Sequence, residues 1–397
     1  MSKNRIFISC SKGIVPFLAE EVRLLGFPVL SETIAGVETE GTLEDTMTLN
    51  LFLRTGNRVL YLLSEFTAET PDELYRNLLN VEWEKYIHEN GYISVNSGVD
   101  TPGIKDSRYA NLKCKDAVVD RIREKSGRRP DSGPEKDKVV IYLYWKDSRC
   151  SVYIDTSGEN LSKRGYRKIP LGAPMQETLA SALIMATGWN GNSNFINPMC
   201  GSGTLAIEAV LIALNRAPGL LRNNYTFMHL KGFDQSLLQE MRTKAKHSSH
   251  KALKNRIIAT DISPLAVDAA KKNAHTAGVD HLIEFGICNY TDTPVPAGEG
   301  IVMLNPEYGA RLGKTEELEK TYKGIGDFFK QKCKGYAGYI FTGNPDLAKK
   351  VGLRTKRKIQ FFNSNIECRL FEYELYEGSR KSARDRQGIP KSDAGHA

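Results

Sequence analysis

At 397 residues with 41% apolar side chains, the chain is long enough for two or three ordinary cores, and its formal charge of +8 favours a polyanionic partner. No apolar run approaches membrane-spanning length, and Met1-Ser2-Lys3-Asn4-Arg5 lacks a signal peptide's apolar stretch, so no membrane contact is expected. Seven scattered cysteines, none in a C-x-x-C pair, predict reduced thiols in a cytoplasmic protein without a metal site.

The first elements are strand 5–9, helix 14–25, strand 28–33, strand 37–42, helix 43–54 and strand 58–66. This β-α-β-β-α-β order, punctuated by Gly26 and Gly36, predicts a ferredoxin-like domain over 1–66 with a scaffold role. A second α+β domain is expected over 67–156. Thr70-Pro71-Asp72-Glu73 is a capping box with proline at the first helical position, opening a helix that runs through Leu79. Strand 91–97 follows, then an amphipathic helix 107–126 with Leu112, Val119 and Ile122 facing the core, and a hairpin of 138–145 and 149–155.

Basic residues crowd this helix. Lys105, Arg108, Lys113, Lys115, Arg121, Arg123, Lys125, Arg128 and Arg129 are continued by Lys163, Arg164, Arg167 and Lys168. A single such residue is ordinarily just solvated; this density predicts a phosphate-tracking surface, one that positions a nucleic acid without reading its sequence. A Gly-rich, basic linker spans 157–175.

From 176 to 377 strands and helices alternate: strand 194–197, a helix from 204, strand 256–260, helix 264–277 and strand 282–287. Strand 300–304, helix 315–332, strand 336–342 and a closing pair near 356–362 and 367–376 complete a mostly parallel, doubly covered sheet. Residues 378–397 read as a disordered basic tail.

The sheet's first strand runs into Asn197-Pro198-Met199-Cys200-Gly201-Ser202-Gly203-Thr204, a glycine-rich turn opening a buried helix. Such a turn brings backbone close to a ligand and offers it the N–H groups of a helix start. Cys200 reads as a small packed side chain, since no histidine lies nearby in sequence to activate it. The next strand ends at Asp261, where a carboxylate grips ribose hydroxyls in sheets of this kind or caps the following helix. The third feature is Asn305-Pro306-Glu307-Tyr308 after an apolar strand. Asn305 and an adjacent carbonyl can accept both hydrogens of an exocyclic amine while Tyr308 stacks on the ring that bears it. Two acceptors polarise a weak amine nucleophile toward an electrophilic methyl group.

Together with Asp155–Arg167, Ala173–Ala180 and Phe341-Thr342-Gly343-Asn344-Pro345, these motifs resemble the THUMP-domain class I S-adenosylmethionine-dependent RNA methyltransferases. Within that family the likeness is to bacterial enzymes that methylate a guanine N2 in 23S rRNA, and it covers the chain to about residue 377. The resemblance implies an α/β fold: a Rossmann-like class I methyltransferase domain preceded by ferredoxin-like and THUMP domains, the latter an RNA-binding module. It implies S-adenosyl-L-methionine as cofactor, held by Asn197, Pro198, Cys200, Gly201, Ser202, Gly203, Thr204, Asp261, Ile262 and Asn289, with Gln176 and Thr178 as secondary contacts. Asn305, Pro306 and Tyr308 would be catalytic, and 23S rRNA or its precursor the partner.

Three positions depart from the family pattern: Asn197 and Asn289 replace acids, and Glu307 replaces the second proline of Asn-Pro-Pro-Tyr. Each asparagine keeps hydrogen-bonding capacity without the charge. The rival readings are a DNA adenine-N6 methyltransferase, which shares Asn-Pro-x-Tyr, and a noncatalytic RNA-binding or ribosome-assembly factor.

Overall fold

The computed structural model describes residues 3–102, 104, 106–171, 175–309 and 315–376. Lys105, Ala173, Pro174 and the tail 378–397 lie outside them. The chain divides into two compact units: residues 1–168, 175–185 and 214–251 form one, and 169–174, 186–213 and 252–397 the other.

The first unit opens with β1 (Asn4–Ser9), α1 (Val15–Leu24), β2 (Ser31–Thr33), β3 (Gly36–Gly41), α2 (Asp45–Phe52) and β4 (Arg58–Thr67). The expected strand 28–33 is reduced to β2, because Pro28 has no N–H to give a ladder. Next come α3 (Pro71–Leu79), β5 (Tyr92–Asp100), α4 (Ser107–Ser126), β6 (Asp131–Ser132), β7 (Val139–Lys146), β8 (Arg149–Asp155) and α5 (Glu177–Ala186). Thr70 caps α3 by accepting from the Glu73 N–H at 3.2 Å. The returning arm of the capping box is displaced by one residue, since Glu73 accepts from the Glu69 N–H at 2.8 Å. These strands make one eight-stranded sheet in the order β2-β3-β1-β4-β8-β7-β5-β6. The join is the antiparallel pairing of β4 with β8, from Leu60 with Asp155 to Thr67 with Arg149, with a register shift between Leu62 and Ser64.

Helix α4 starts on an Asp106 cap and stops at Gly127 in the left-handed region, φ 71°. Its buried face is Ala110, Cys114, Ala117, Val118, Val119 and Ile122. Leu112 departs from expectation: it is 53% exposed, because two residues past Ala110 is the far side of a 3.6-residue turn. Small side chains, rather than leucine, set the approach of α4 to the sheet.

The second unit holds β9 (Asn194–Pro198) and α6 (Thr204–Ala213). The insertion that follows carries α7 (Gln235–His247), which belongs to the first unit, where Ala245 packs with Leu51 and Ala217. The second unit resumes with β10 (Ile257–Asp261), α8 (Pro264–Ala277), β11 (Glu284–Ile287), β12 (Gly300–Leu304), α9 (Thr315–Lys332), β13 (Tyr336–Thr342), α10 (Pro345–Lys350), β14 (Arg357–Asn363) and β15 (Ile366–Glu374). Its seven-stranded sheet has the order β11-β10-β9-β12-β13-β15-β14. Pairs from β11 through β13 are parallel, and β15 is antiparallel to both neighbours. Ile196, Ile258, Val302, Ile325, Phe329 and Ile340 belong to the core on one face. All seven cysteines are free thiols, and no helix among the described residues is long and apolar enough to cross a membrane.

Candidate active site

Strand order locates the site. From β9 the chain builds outward one way through β10 and the other way through β12, so the loops after β9 and β12 part at the sheet's switch point, where open α/β sheets bind ligands. The three loops after β9, β10 and β12 leave adjacent parallel strands at their carboxyl ends.

The loop after β9 places Met199 (φ 56°), Gly201 (φ 56°) and Gly203 (φ 84°) in the left-handed region. The two glycines serve different ends. A Cβ on Gly201 would meet nothing within 4 Å, so this part of the loop faces open space. A Cβ on Gly203 would sit 2.9 Å from Ala270 Cβ, so that glycine lets α8 approach the loop rather than a ligand. Asn273 of α8 adds a hydrogen bond to the Ser202 carbonyl at 3.1 Å. Cys200 is buried beside this turn, and burial raises its thiol well above the ordinary value. It stays a neutral packed side chain.

Asp261 Oδ2 accepts the Gly201 N–H at 3.0 Å, and Oδ1 accepts the Ser263 N–H at 3.0 Å. The carboxylate therefore fixes the first loop to the second. The cap of α8 is Ser263, which accepts from Ala266, and not Asp261. Beside it Ile262 is 68% exposed, and Ile287, in register with Asp261 across β10 and β11, is 57% exposed. Large apolar side chains standing bare at strand ends form a flat surface suited to a purine ring. Asn289 follows, its side-chain oxygen taken by the Thr291 N–H and hydroxyl, both at 3.1 Å. Its amide N–H groups, rather than an acceptor, are what it can turn to a ligand.

After β12, Pro306 is buried and Glu307 is exposed. The Tyr322 hydroxyl on α9 contacts the Glu307 carbonyl at 3.4 Å and Thr342 Oγ1 at 2.7 Å, tying the turn to β13. Tyr308 is gripped by the closing hairpin: Asn363 Nδ2 donates to its hydroxyl at 2.9 Å. Its ring stands edge-on to Phe341 with centroids 6.4 Å apart, and Gly343 leaves room for it, since a Cβ there would come within 2.9 Å. Burial pushes the Tyr308 hydroxyl up to about 12, so it stays protonated at neutral pH.

Two polar atoms in this region lack a partner. The side-chain oxygens of Asn197 and Asn305 are both buried without a hydrogen-bond partner among the described residues. Asn197 is wholly inaccessible, and its amide donates to the Met303 carbonyl at 2.9 Å, which leaves the oxygen directed away from β12. Unpartnered buried polar atoms also occur at Ser94, Asn111 and Tyr373, so what sets Asn305 apart is its place in the turn after β12, beside the open loop at Gly201. The open face of Gly201, the Asp261 carboxylate and the bare isoleucines fit an adenosyl ligand carrying an amino-acid head. The residues that hold Tyr308 and its turn, Tyr322, Thr342 and Asn363, escaped the sequence reading; only the Phe341–Pro345 motif pointed toward them.

Other expected site residues belong to the first unit. Gln176 and Thr178 belong to the first unit, where Thr178 hydrogen-bonds Asn57 at 3.1 Å. In the expected phosphate-tracking surface, Lys113 pairs with Asp72 at 2.9 Å, Lys115 with Asp116 at 2.7 Å and Lys163 with Glu159 at 2.6 Å. Arg108 pairs with Asp106, while Arg128 and Arg129 are exposed. Arg121 is held by Glu84 at 2.7 Å and the Leu79 carbonyl at 3.0 Å. Arg167 donates to the Met175 carbonyl and pairs with Glu177. Arg164 must be withdrawn from that surface. It is 1% exposed and donates to the Arg54 carbonyl at 2.7 Å, so it braces backbone and cannot reach a phosphate.

The strand order is that of the class I methyltransferase fold. The RMKL-like methyltransferase domain model matches residues 164–372, the RlmL ferredoxin-like domain 5–60 and the THUMP domain 68–155. Ribosomal RNA large subunit methyltransferase K/L of Syntrophotalea carbinolica is 37% identical over 94% of this chain and 54% of its own length. The Synechocystis sp. protein slr0064, provisionally named an RNA methyltransferase, is 33% identical over 93% of this chain and 96% of its own. The structure of SMU.472 complexed with SAH is 26% identical with a TM-score of 0.87, covering 96% of this chain and 100% of that one. A Listeria monocytogenes structure named as a predicted N6-adenine-specific DNA methylase has 28% identity and a TM-score of 0.85, covering 94% and 97%. The chain belongs to the family of the RMKL-like methyltransferase domain. It spans about half the length of the K/L relatives it matches.

Proposed function

We propose that this chain transfers a methyl group from S-adenosylmethionine to the exocyclic N2 of a guanine in RNA, with 23S rRNA as the substrate. The observation that carries this reading is the unpartnered Asn305 side-chain oxygen after β12, on the strand next to β9 and its open loop at Gly201. The K/L relatives support the substrate, and the THUMP match over 68–155 supports RNA over DNA.

In this reading the loop from Asn197 to Thr204, with Asp261, Ile262 and Asn289, holds the donor, which when bound supplies an electrophilic methyl group. Asp261 would take a ribose hydroxyl with the lone pairs its two backbone N–H groups leave open, while Asn197, fully enclosed and bonded to the Met303 carbonyl, would shape the loop from behind. Asn305 Oδ1 and the Pro306 carbonyl hold the two N2 hydrogens, which raises electron density on a nitrogen otherwise conjugated with its ring. Tyr308, fixed by Asn363, is the stacking face for a guanine unstacked from the RNA. Orientation of the amine is the main contribution, and the proton it sheds passes to solvent beside exposed Glu307.

The test is Asn305→Ala, assayed with tritiated S-adenosylmethionine and 23S rRNA. Methyl transfer is expected to fall about 100-fold or more while RNA affinity stays within twofold. Retained turnover would remove Asn305 from this role. Failure of the unsubstituted protein to bind S-adenosylmethionine in a calorimeter would favour a noncatalytic RNA-binding factor. Preference for duplex DNA over RNA in filter binding would favour an adenine-N6 enzyme.

A further inference from the structure

We propose that a second nucleotide-binding pocket lies in the methyltransferase sheet, at the end opposite the catalytic loops, and takes a phosphodiester of single-stranded RNA. The pocket holds about 560 Å³. Its apolar wall is Phe329, Leu353 and Leu375, its cations are Lys330, Lys334, Arg354 and Lys356, and its one carboxylate, Glu374, is paired with Lys356. This volume falls within the range of roughly 300–1,000 Å³ usual for ligand sites.

Topology separates it from the donor site. Lys334 precedes β13, and Leu375 and Tyr376 follow the antiparallel β15, so the pocket sits at the amino end of β13. Asn305 follows the carboxyl end of β12, which runs parallel to β13. The length of a strand, about 20 Å, lies between them.

Charge indicates the occupant. Lys356 is committed to Glu372 and Glu374, and Lys330 reaches Asp327 at 3.6 Å. Lys334 and Arg354 are exposed and make no ion pair among the described residues. Two uncommitted cations beside an apolar wall and the 46% exposed Tyr376 suit two successive phosphates with the base between them laid against the wall. The contrast with α4, whose cations mostly face carboxylates, makes this pocket the stronger anion site. The inference rests on the reading that the substrate is RNA, and it adds an anchor for a strand leaving the target nucleotide.

The experiment uses the full chain and a fluorescein-labelled single-stranded RNA of 20 nucleotides, titrated from 50 to 300 mM salt. K334E/R354E should lower affinity at least tenfold at 100 mM salt and reduce the slope of log K against log salt by about 1.4, the value for two single-strand phosphate contacts. Lys271→Glu, exposed on α8, serves as the charge control and should leave the slope within about 0.7 of the unsubstituted protein. An unchanged slope in the double variant overturns the proposal. So does guanosine monophosphate that protects Lys334 from acetylation where the labelled RNA does not, since the pocket would then serve a free nucleotide. Both residues are exposed, so folding is expected to persist, and photocrosslinking of 4-thiouridine RNA gives an independent readout. Crosslinks on the 353–356 or Tyr376 peptides support the pocket; crosslinks confined to other peptides overturn it. Methyl transfer by the unsubstituted protein, measured alongside, separates the two ideas. RNA binding through this pocket without transfer would sink the activity reading alone, and transfer with an unchanged slope would sink the pocket alone.

Discussion

The loops after β9 and β12 and the helix α4 are the two regions richest in polar side chains with a functional look, and they differ in how those groups are satisfied. At the strand ends, Asn197 and Asn305 keep buried oxygens without partners. Along α4, Arg108, Lys113, Lys115 and Arg121 are each matched by a carboxylate, and the buried Asn111 oxygen without a partner has no open loop beside it, among the described residues, comparable to that at Gly201. A buried acceptor without a partner is a candidate for ligand contact where the loop beside it is open, as at Gly201, whereas a paired surface charge has little left to give and little to lose. Density of charge in a sequence is therefore a weaker sign of binding than an unpaired buried acceptor in a fold.

Substitutions in the glycine loop bear on that difference most strongly. Gly203→Ala forces a Cβ to 2.9 Å from Ala270 at a φ of 84°, combining left-handed strain with a clash against α8. A loss of about 2–4 kcal/mol is expected in chemical unfolding of the second unit, with loss of donor binding. Gly201→Ala carries the strain but meets nothing within 4 Å, and should cost only about 1 kcal/mol. Its larger effect should be on affinity for S-adenosylmethionine, because the added methyl enters the open side of the loop. Equal stability losses in the two variants would show that Gly203 has no special role in seating α8.

Much of the second unit was readable because its elements carry local stop and start signals. The bounds 264–277, 300–304, 315–332 and 336–342 match α8, β12, α9 and β13, and α8 has Ser263 before it and Gly278 after it. The loops at 197–204 and 305–308 were equally plain. What the sequence hid is long-range. The pairing of β4 with β8 joins residues more than 80 apart, for instance Thr67 with Arg149, and no turn signal announces it. Helix α7 sits in an insertion with no motif, and its seat on Leu51 follows only from tertiary packing. Arg164 looked like any other arginine of a basic run, and its burial follows from carbonyls of Arg54 and Leu161 that converge on it.

Arg121 sharpens the comparison on the side of α4. It is the most enclosed of the paired cations there, at 17% side-chain exposure against 27% for Glu84. Arg121→Ala removes this pair and the bond to the Leu79 carbonyl, and should destabilise the first unit by about 1–2 kcal/mol. The pH dependence gives the sign. Arg121 holds the Glu84 carboxyl below its ordinary value of 4.5. The pair's contribution is therefore complete above about pH 4.5 and is lost as pH falls through the lowered value. In the variant, unfolding midpoints should fall less steeply between neutral pH and pH 3 than in the unsubstituted protein. Parallel acid limbs would show that the pair adds nothing to stability.

The smallest effect is expected at Lys115, which pairs with its neighbour Asp116 where that carboxylate is 45% exposed. An exposed pair between adjacent residues, screened by water and salt, contributes close to nothing, so Lys115→Ala should move stability by less than about 0.5 kcal/mol. If α4 contacts phosphate, the lysine must exchange Asp116 for RNA, and the same substitution should lower the salt slope of RNA binding by about 0.7–0.9. Arg128 and Arg129, exposed beyond Gly127, make no ion pair within 4 Å among the described residues, although Arg128 lies near enough to Glu89 to add to the lowering of that carboxyl by the Glu89 backbone N–H. A larger slope change for Arg128→Ala and Arg129→Ala than for Lys115→Ala would place the RNA at the carboxyl end of α4. Equal changes at all three would instead lay it along the helix and show that internal pairing does not remove a lysine from an RNA surface.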